Sequence, residues 1–194
     1  MPYDPHKHHR RSIRLRGYDY STPGAYFVTI VAHGRLCLFG DVVDGALRLN
    51  EAGRMVERVW QELAHHYVGV ELDAFIVMPN HVHGIIVLTE EPSTVGAARR
   101  ACPDSMPSSE QGQPQGVAPT LSLPDLVHRF KSLTTALYRR GVAQDTWPPF
   151  ERRVWQRNYH DRIVRGPRSL HALRTHIERN PLRWSLDAEN PANP

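Results

Sequence analysis

Met78-Pro79-Asn80-His81-Val82-His83-Gly84-Ile85-Ile86-Val87-Leu88 is the stretch from which the rest of the chain can be placed. Pro79-Asn80 is turn chemistry between two apolar runs, so the passage reads as strands over 70–78 and 81–88 joined by a tight connection. Successive strand side chains point to opposite faces, which puts His81 and His83 on one face and Val82 on the other. Spacing alone carries little weight. Twelve histidines in 194 residues give roughly 0.7 His-x-His pairs by chance, and His6-Lys7-His8 is another such pair. Context carries more, because a polar ring at the start of a core strand needs either a hydrogen-bond partner or a ligand. Two neutral imidazoles side by side are a sound beginning for a divalent metal site that draws one or two oxygen ligands from elsewhere.

Working outward, residues 25–32 alternate Tyr26, Val28 and Ile30 against Phe27, Thr29 and Val31, as a central strand does. Residues 36–43 and 46–49, hinged on Asp44-Gly45, read as a hairpin. Asn50 caps a helix whose apolar positions Met55, Val56, Val59, Trp60 and Leu63 recur at helical spacing up to His65 or His66. Ser122-Leu-Pro-Asp125 opens a second helix, with Leu126, Val127, Phe130, Leu133 and Leu137 on one side and Gly141 at its end. A short strand falls near residues 161–164, and Gly166-Pro167 begins a last helix that turns Leu170, Leu173 and Ile177 inward. This order predicts an α+β two-layer sandwich, an antiparallel sheet with helices on one face. Residues 1–20 read as a basic, flexible lead-in and 21–184 as a single domain. The Pro- and Gly-rich span 90–124 reads as a flexible insertion in that domain, and 185–194 as a C-terminal tail.

A hydrophobic content of 40% over 194 residues suffices for one core. No apolar run approaches a membrane span and the first twenty residues lack a signal-peptide segment, so the expectation is a soluble, cytoplasmic protein with no membrane partner. Cys37 and Cys102 are too few for a disulfide framework, which leaves nitrogen and oxygen to hold any metal. The net charge of +4 is unevenly spread: residues 34–91 carry four Lys/Arg against nine Asp/Glu, whereas residues 126–184 carry thirteen against four. A basic segment with Trp147, Trp155, Tyr159 and Trp184 interleaved suits phosphate neutralisation and base stacking. Arg129, Arg139, Arg152, Arg153, Arg157 and Arg165 are the candidate DNA contacts. The plainer reading is that these arginines are solvated and the tryptophans belong to the core.

Several separated motifs also occur in a familiar order. Arg11-Ser-Ile-Arg-Leu-Arg-Gly-Tyr18, Gly24-Ala-Tyr-Phe-Val-Thr-Ile30, Met78-Pro-Asn-His-Val-His83, Val154-Trp-Gln-Arg-Asn-Tyr-His160 and Ile177-Glu-Arg-Asn-Pro-Leu-Arg-Trp184 resemble the REP-associated branch of the single-tyrosine HUH transposases over roughly residues 10–184. The resemblance implies a ferredoxin-like or RRM-like palm. It further implies cleavage and rejoining of single-stranded or hairpin DNA by metal-assisted transesterification, through a covalent protein–DNA intermediate. Mg²⁺ or Mn²⁺ would be held by His81, His83 and Asn180, and a homodimer stays open. In the family a tyrosine stands four residues before the asparagine of the Asn-Pro pair; here that position, before Asn180-Pro181, is His176. Three readings follow: an inactive, domesticated relative that still binds DNA, attack by His176 itself, or substitution by Tyr159. From another class, an RRM-like RNA-binding module rests only on Tyr26-Phe27.

Overall fold

Eight residues, Gly24–Val31, the last four of them all buried, form β1, the strand around which the sheet is laid. In the computed structural model, which describes residues 14–15, 17–90 and 121–193, the chain continues through β2 (Gly40–Val43), β3 (Ala46–Leu49), α1 (Glu51–His66), β4 (Val70–Val77) and β5 (His81–Leu88). After residue 120 come α2 (Leu123–Ala143), β6 (His160–Ile163) and α3 (Pro167–Arg179). The main sheet has the order β4-β5-β1-β6 with every neighbouring pair antiparallel. Together with α1 and α2 this is the β-α-β-β-α-β alternation of the ferredoxin-like fold. The β2–β3 hairpin stands apart. Its turn places Asp44 at φ 54° and Gly45 at φ 74°, the left-handed pair that a two-residue hairpin loop requires.

Register fixes the two faces. Tyr26, Val28 and Ile30 pair with Ile86, Gly84 and Val82, and this face is buried beneath Trp60, Phe130, Tyr138 and Trp155. Gly84 makes room for Trp60: a Cβ there would fall 2.3 Å from the indole, which stacks on Phe75 at 4.4 Å. Phe27, Ile85 and Val87 lie on the other face and pack against Leu170, Leu173 and Ile177 of α3. The antiparallel α+β sheet is as expected, but the helices do not all share one face. The α3 helix takes the opposite side, where an Arg174–Asp73 ion pair ties it to a β-bulge in β4.

Asn50 caps α1 by accepting the Gly53 N–H, and all five expected apolar positions are buried. In α2 the expected stripe is corrected: Leu133 is 45% exposed, while Thr134, Tyr138 and Gly141 are buried. Thr134 holds a core position because its hydroxyl donates to Phe130 O and accepts from Trp155 Nε1 at 2.8 Å. Gly141 is inside the helix, not its stop, since a Cβ would meet the Trp147 ring at 2.3 Å. Tyr18 and Tyr20, assigned to the lead-in, pack into the core, and Tyr20 donates to Asp161 Oδ2 at 2.6 Å. Residues 181–193, including most of the expected tail, fold back against the end of the sheet. Residues 91–120 of the expected insertion lie outside the described residues. No helix among the described residues is long and apolar enough to cross a membrane.

Candidate metal centre at the end of the sheet

The turn between β4 and β5 is held from three sides. Met78 N–H donates to His81 O, Ala32 N–H to Asn80 O, and Phe39 N–H to Pro79 O. Asn80 is fully buried, and its Nδ2 donates to two carbonyls, Arg35 O at 3.0 Å and Glu189 O at 2.6 Å. Those donations fix the amide orientation, so Asn80 Oδ1 can only accept, and it does so from His81 Nδ1 at 2.9 Å. His81 therefore carries its proton on Nδ1 and presents a bare Nε2. That nitrogen faces His83 Nε2 at 3.1 Å. His83 Nδ1 meets the Thr29 hydroxyl at 2.8 Å. A hydroxyl donates or accepts by rotation. As the rings stand, Thr29 donates to His83 Nδ1 and His83 Nε2–H to His81; were His83 Nε2 to hold an ion, its proton would move to Nδ1 and Thr29 would accept it.

Burial keeps the pair uncharged. Desolvation, with a smaller contribution from His176, lowers His81 to about 3, and desolvation also pushes His83 well below the ordinary imidazole range. Neutral imidazole is the ligating form. Phe27 stacks on His83 at 5.3 Å and Trp184 lies 6.0 Å from His81, so both rings sit in an aromatic cradle.

The third ligand atom comes from the folded C-terminal segment. Donor atoms of His81, His83 and Asp187 all lie within 4.8 Å of one another. The Asp187 carboxylate is positioned by Glu189 N–H on Oδ1 and by Asn180 Nδ2 on Oδ2 at 3.1 Å. Asn180 thus reaches the site through Asp187, and its own Oδ1 is buried without a partner among the described residues. Two bare or readily bared imidazole nitrogens, a carboxylate and an orphaned amide oxygen suit a divalent cation. Asp187 was not legible as a ligand, because a lone Asp in a polar C-terminal stretch carries no periodic or motif signal.

His176 is exposed on α3, with its ring centre 5.0 Å from that of His83 and 6.0 Å from that of Phe27. The position expected for a nucleophile is therefore at the site. Tyr159 is not. It is buried in the core on the other face of the sheet, with the Arg14 guanidinium and Lys131 Nζ over its ring, and burial raises its hydroxyl pKa. All six described tyrosines, at 18, 20, 26, 67, 138 and 159, belong to that core or pack on it.

The arginines do not make one surface. Arg139, Arg153 and Arg157 border a shallow groove of about 370 Å³ with Trp155, Gln156 and Lys131. Lys131 is braced by the carbonyls of residues 156, 157 and 158, and desolvation pulls it down to about 8. Arg165 lies instead in an open cleft of about 620 Å³ beside β6, with Arg14, Tyr20, Asp161, Arg162 and Ser169. Arg162 pairs with Phe27 and so lies on the histidine-bearing face, a placement that only the strand register discloses. Arg129 is laid over Tyr67 at 5.1 Å. Arg152 occupies the loop before Val154, at φ 58°.

Fold and site together define a ferredoxin-like α+β domain with a sheet-borne His-x-His centre. An uncharacterised protein of Haemophilus influenzae is 34% identical over 185 residues, with 95% of each chain covered, and the present chain belongs to the same family. No protein-family profile matches. Among solved structures, a REP-associated tyrosine transposase bound to a REP hairpin is similar over 88% of this chain and 73% of its own, at 14% identity and a TM-score of 0.49. A provisionally assigned transposase of Deinococcus radiodurans is similar over 85% of this chain and 95% of its own, at 18% identity and a TM-score of 0.44. Both of those proteins are described as transposases.

Proposed function

We propose that the protein is a transposase-like DNA-processing protein that brings a phosphate of single-stranded or hairpin DNA against a divalent ion held by His81, His83 and Asp187. The observation that carries the reading is the histidine pair: two buried, neutral rings with Nε2 atoms 3.1 Å apart, the first ring's tautomer set by Asn80. A bound ion would polarise the phosphodiester and offset charge developing on its oxygens. The protein's own residues supply the rest. Phe27 and Trp184 shield the rings, Asn180 holds Asp187, and Arg162 and Arg165 are available to phosphates beside β6.

A second reading is favoured by the tyrosines. With all six described ones in or on the core, the covalent tyrosyl step has no described residue to perform it. On that reading the chain binds DNA and metal without forming a covalent link. Incubation of the full chain with labelled hairpin DNA and Mn²⁺, resolved on denaturing gels, separates the two. Metal-dependent nicking that disappears in His81→Ala and His83→Ala supports DNA processing. Retention of DNA without nicking supports the binding-only reading. Absence of DNA binding at 50 mM salt, where phosphate-driven contacts are strong, overturns both.

A further inference from the structure

We propose that His176 is a third imidazole ligand, so that this centre is a three-histidine, one-carboxylate site selective for a nitrogen-preferring ion of the Zn²⁺ or Co²⁺ kind over Mg²⁺. The inference rests on the metal centre proposed above. Two imidazoles bound to one tetrahedral ion through bonds of about 2.0–2.1 Å have ring centres about 5 Å apart. His81 and His83 are 4.5 Å apart centre to centre, and His83 and His176 are 5.0 Å apart. The interplanar angles are 68° and 61°. Neither pair is stacked face to face, and both spacings are compatible with co-ligands.

The backbone under His176 is fixed. Leu173 and Ile177 are buried against the sheet, and Arg174 binds Asp73 through both a 2.8 Å and a 2.5 Å hydrogen bond. The ring nitrogens of His176 do not join the donor atoms of His81, His83 and Asp187 that lie within 4.8 Å of one another, so ligation requires the exposed side chain to turn a ring nitrogen towards an ion between His81 and His83 by rotation about its own bonds. Asn180 stands one turn further along the chain and holds Asp187. One helix end and the segment after it would thus supply an imidazole and a carboxylate to the sheet's two imidazoles. Three nitrogens and one carboxylate match the preferences of Zn²⁺ and Co²⁺, whereas Mg²⁺ seeks six oxygens, several of them from water.

The test is ion binding by the full chain, stripped of metal and free of DNA. Zn²⁺ affinity is measured by competition with a chromophoric chelator, and Co²⁺ coordination by visible absorption, for the wild type and for His176→Ala, His176→Gln and His83→Ala. Because residue 176 is solvent-exposed, both its variants keep the wild-type thermal transition, recorded as the control. His176→Ala weakens Zn²⁺ at least about 100-fold, at or beyond the limit of the 10- to 100-fold produced by loss of a residue that merely supports a ligand. Its Co²⁺ band weakens and shifts, and His176→Gln does not restore it. Wild-type Zn²⁺ affinity and an unchanged Co²⁺ spectrum in His176→Ala, with both lost in His83→Ala, overturn the role of His176 and leave the two-histidine centre standing. Wild-type behaviour of His83→Ala overturns the centre and this inference with it.

Discussion

Acid should destabilise the metal-free protein in a window set by His81 and His83. Both have folded-state pKa values below the unfolded value of 6.5, His81 at about 3. The folded state therefore stays unprotonated at these rings while the unfolded chain takes up two protons. Stability from this source is complete above the unfolded pKa and is lost as pH falls through 6.5 towards the folded values. From pH 7 to 5.5 the loss is about 1 kcal/mol per histidine, or roughly 2 kcal/mol for the pair. With a urea dependence of about 2 kcal/mol per molar, the denaturation midpoint drops by about 1 M. The measurement is urea unfolding followed by circular dichroism in the presence of a chelator. The carboxyls of Asp73, beside Arg174, and Asp125, beside Ser122, are held below their usual range and so titrate at lower pH. Changing His83 to Gln should halve the drop. An unchanged midpoint between pH 7 and 5.5, or the same drop in the His83→Gln variant, would show that the rings are not held neutral by burial.

Asp187→Ala should lower divalent-ion affinity by at least about tenfold in calorimetric titration, as loss of a contact at a metal site does; affinity equal to wild type removes Asp187 from the ligand set. Gly84→Ala drives a methyl group to 2.3 Å from the Trp60 ring and should cost about 1–3 kcal/mol in denaturant unfolding. A neutral result there would mean that the Trp60–Phe75 stack can slide. DNA affinity should fall linearly with salt on logarithmic axes, and Arg157→Ala should flatten that slope by about 0.7 if Arg157 meets a phosphate of a single strand. Tyr159→Phe, altered behind the sheet, should leave the slope unchanged.

Legibility followed the kind of signal. The strand carrying His81 and His83 was readable from the Pro79-Asn80 turn and the apolar run after it, and the buried rows of α1 and α3 from period-3.6 apolar spacing. Which face α3 would cover was not readable, since its stripe suits either side of a sheet; the β4 bulge and the Asp73–Arg174 pair decide that in three dimensions. The α2 stripe was misread at one position because apolarity favours Leu133 over Thr134, while the core needed a hydroxyl for the Trp155 indole. Gly141 looked like a helix stop because its packing role depends on Trp147, six residues on. At the site, the histidines and Asn180 were visible as motif residues. Thr29 and Asp187 were not, because both join the site through register and chain reversal.

The double duty of Asn80 makes two events into one equilibrium. Through Oδ1 it orients the ring that faces the ion position, and through Nδ2 it clasps Glu189 O, in the same short segment that delivers Asp187 and whose Glu189 carboxylate pairs with Arg35 at 3.1 Å. An ion bound at the histidines and the chain from 181 to 193 would thereby be each other's effectors. Whatever free energy the docked segment adds to ion binding, the ion returns to docking in equal measure. Amide hydrogens of that segment should exchange more slowly when the ion is present, by the same factor that separates the ion affinities of the docked and undocked forms.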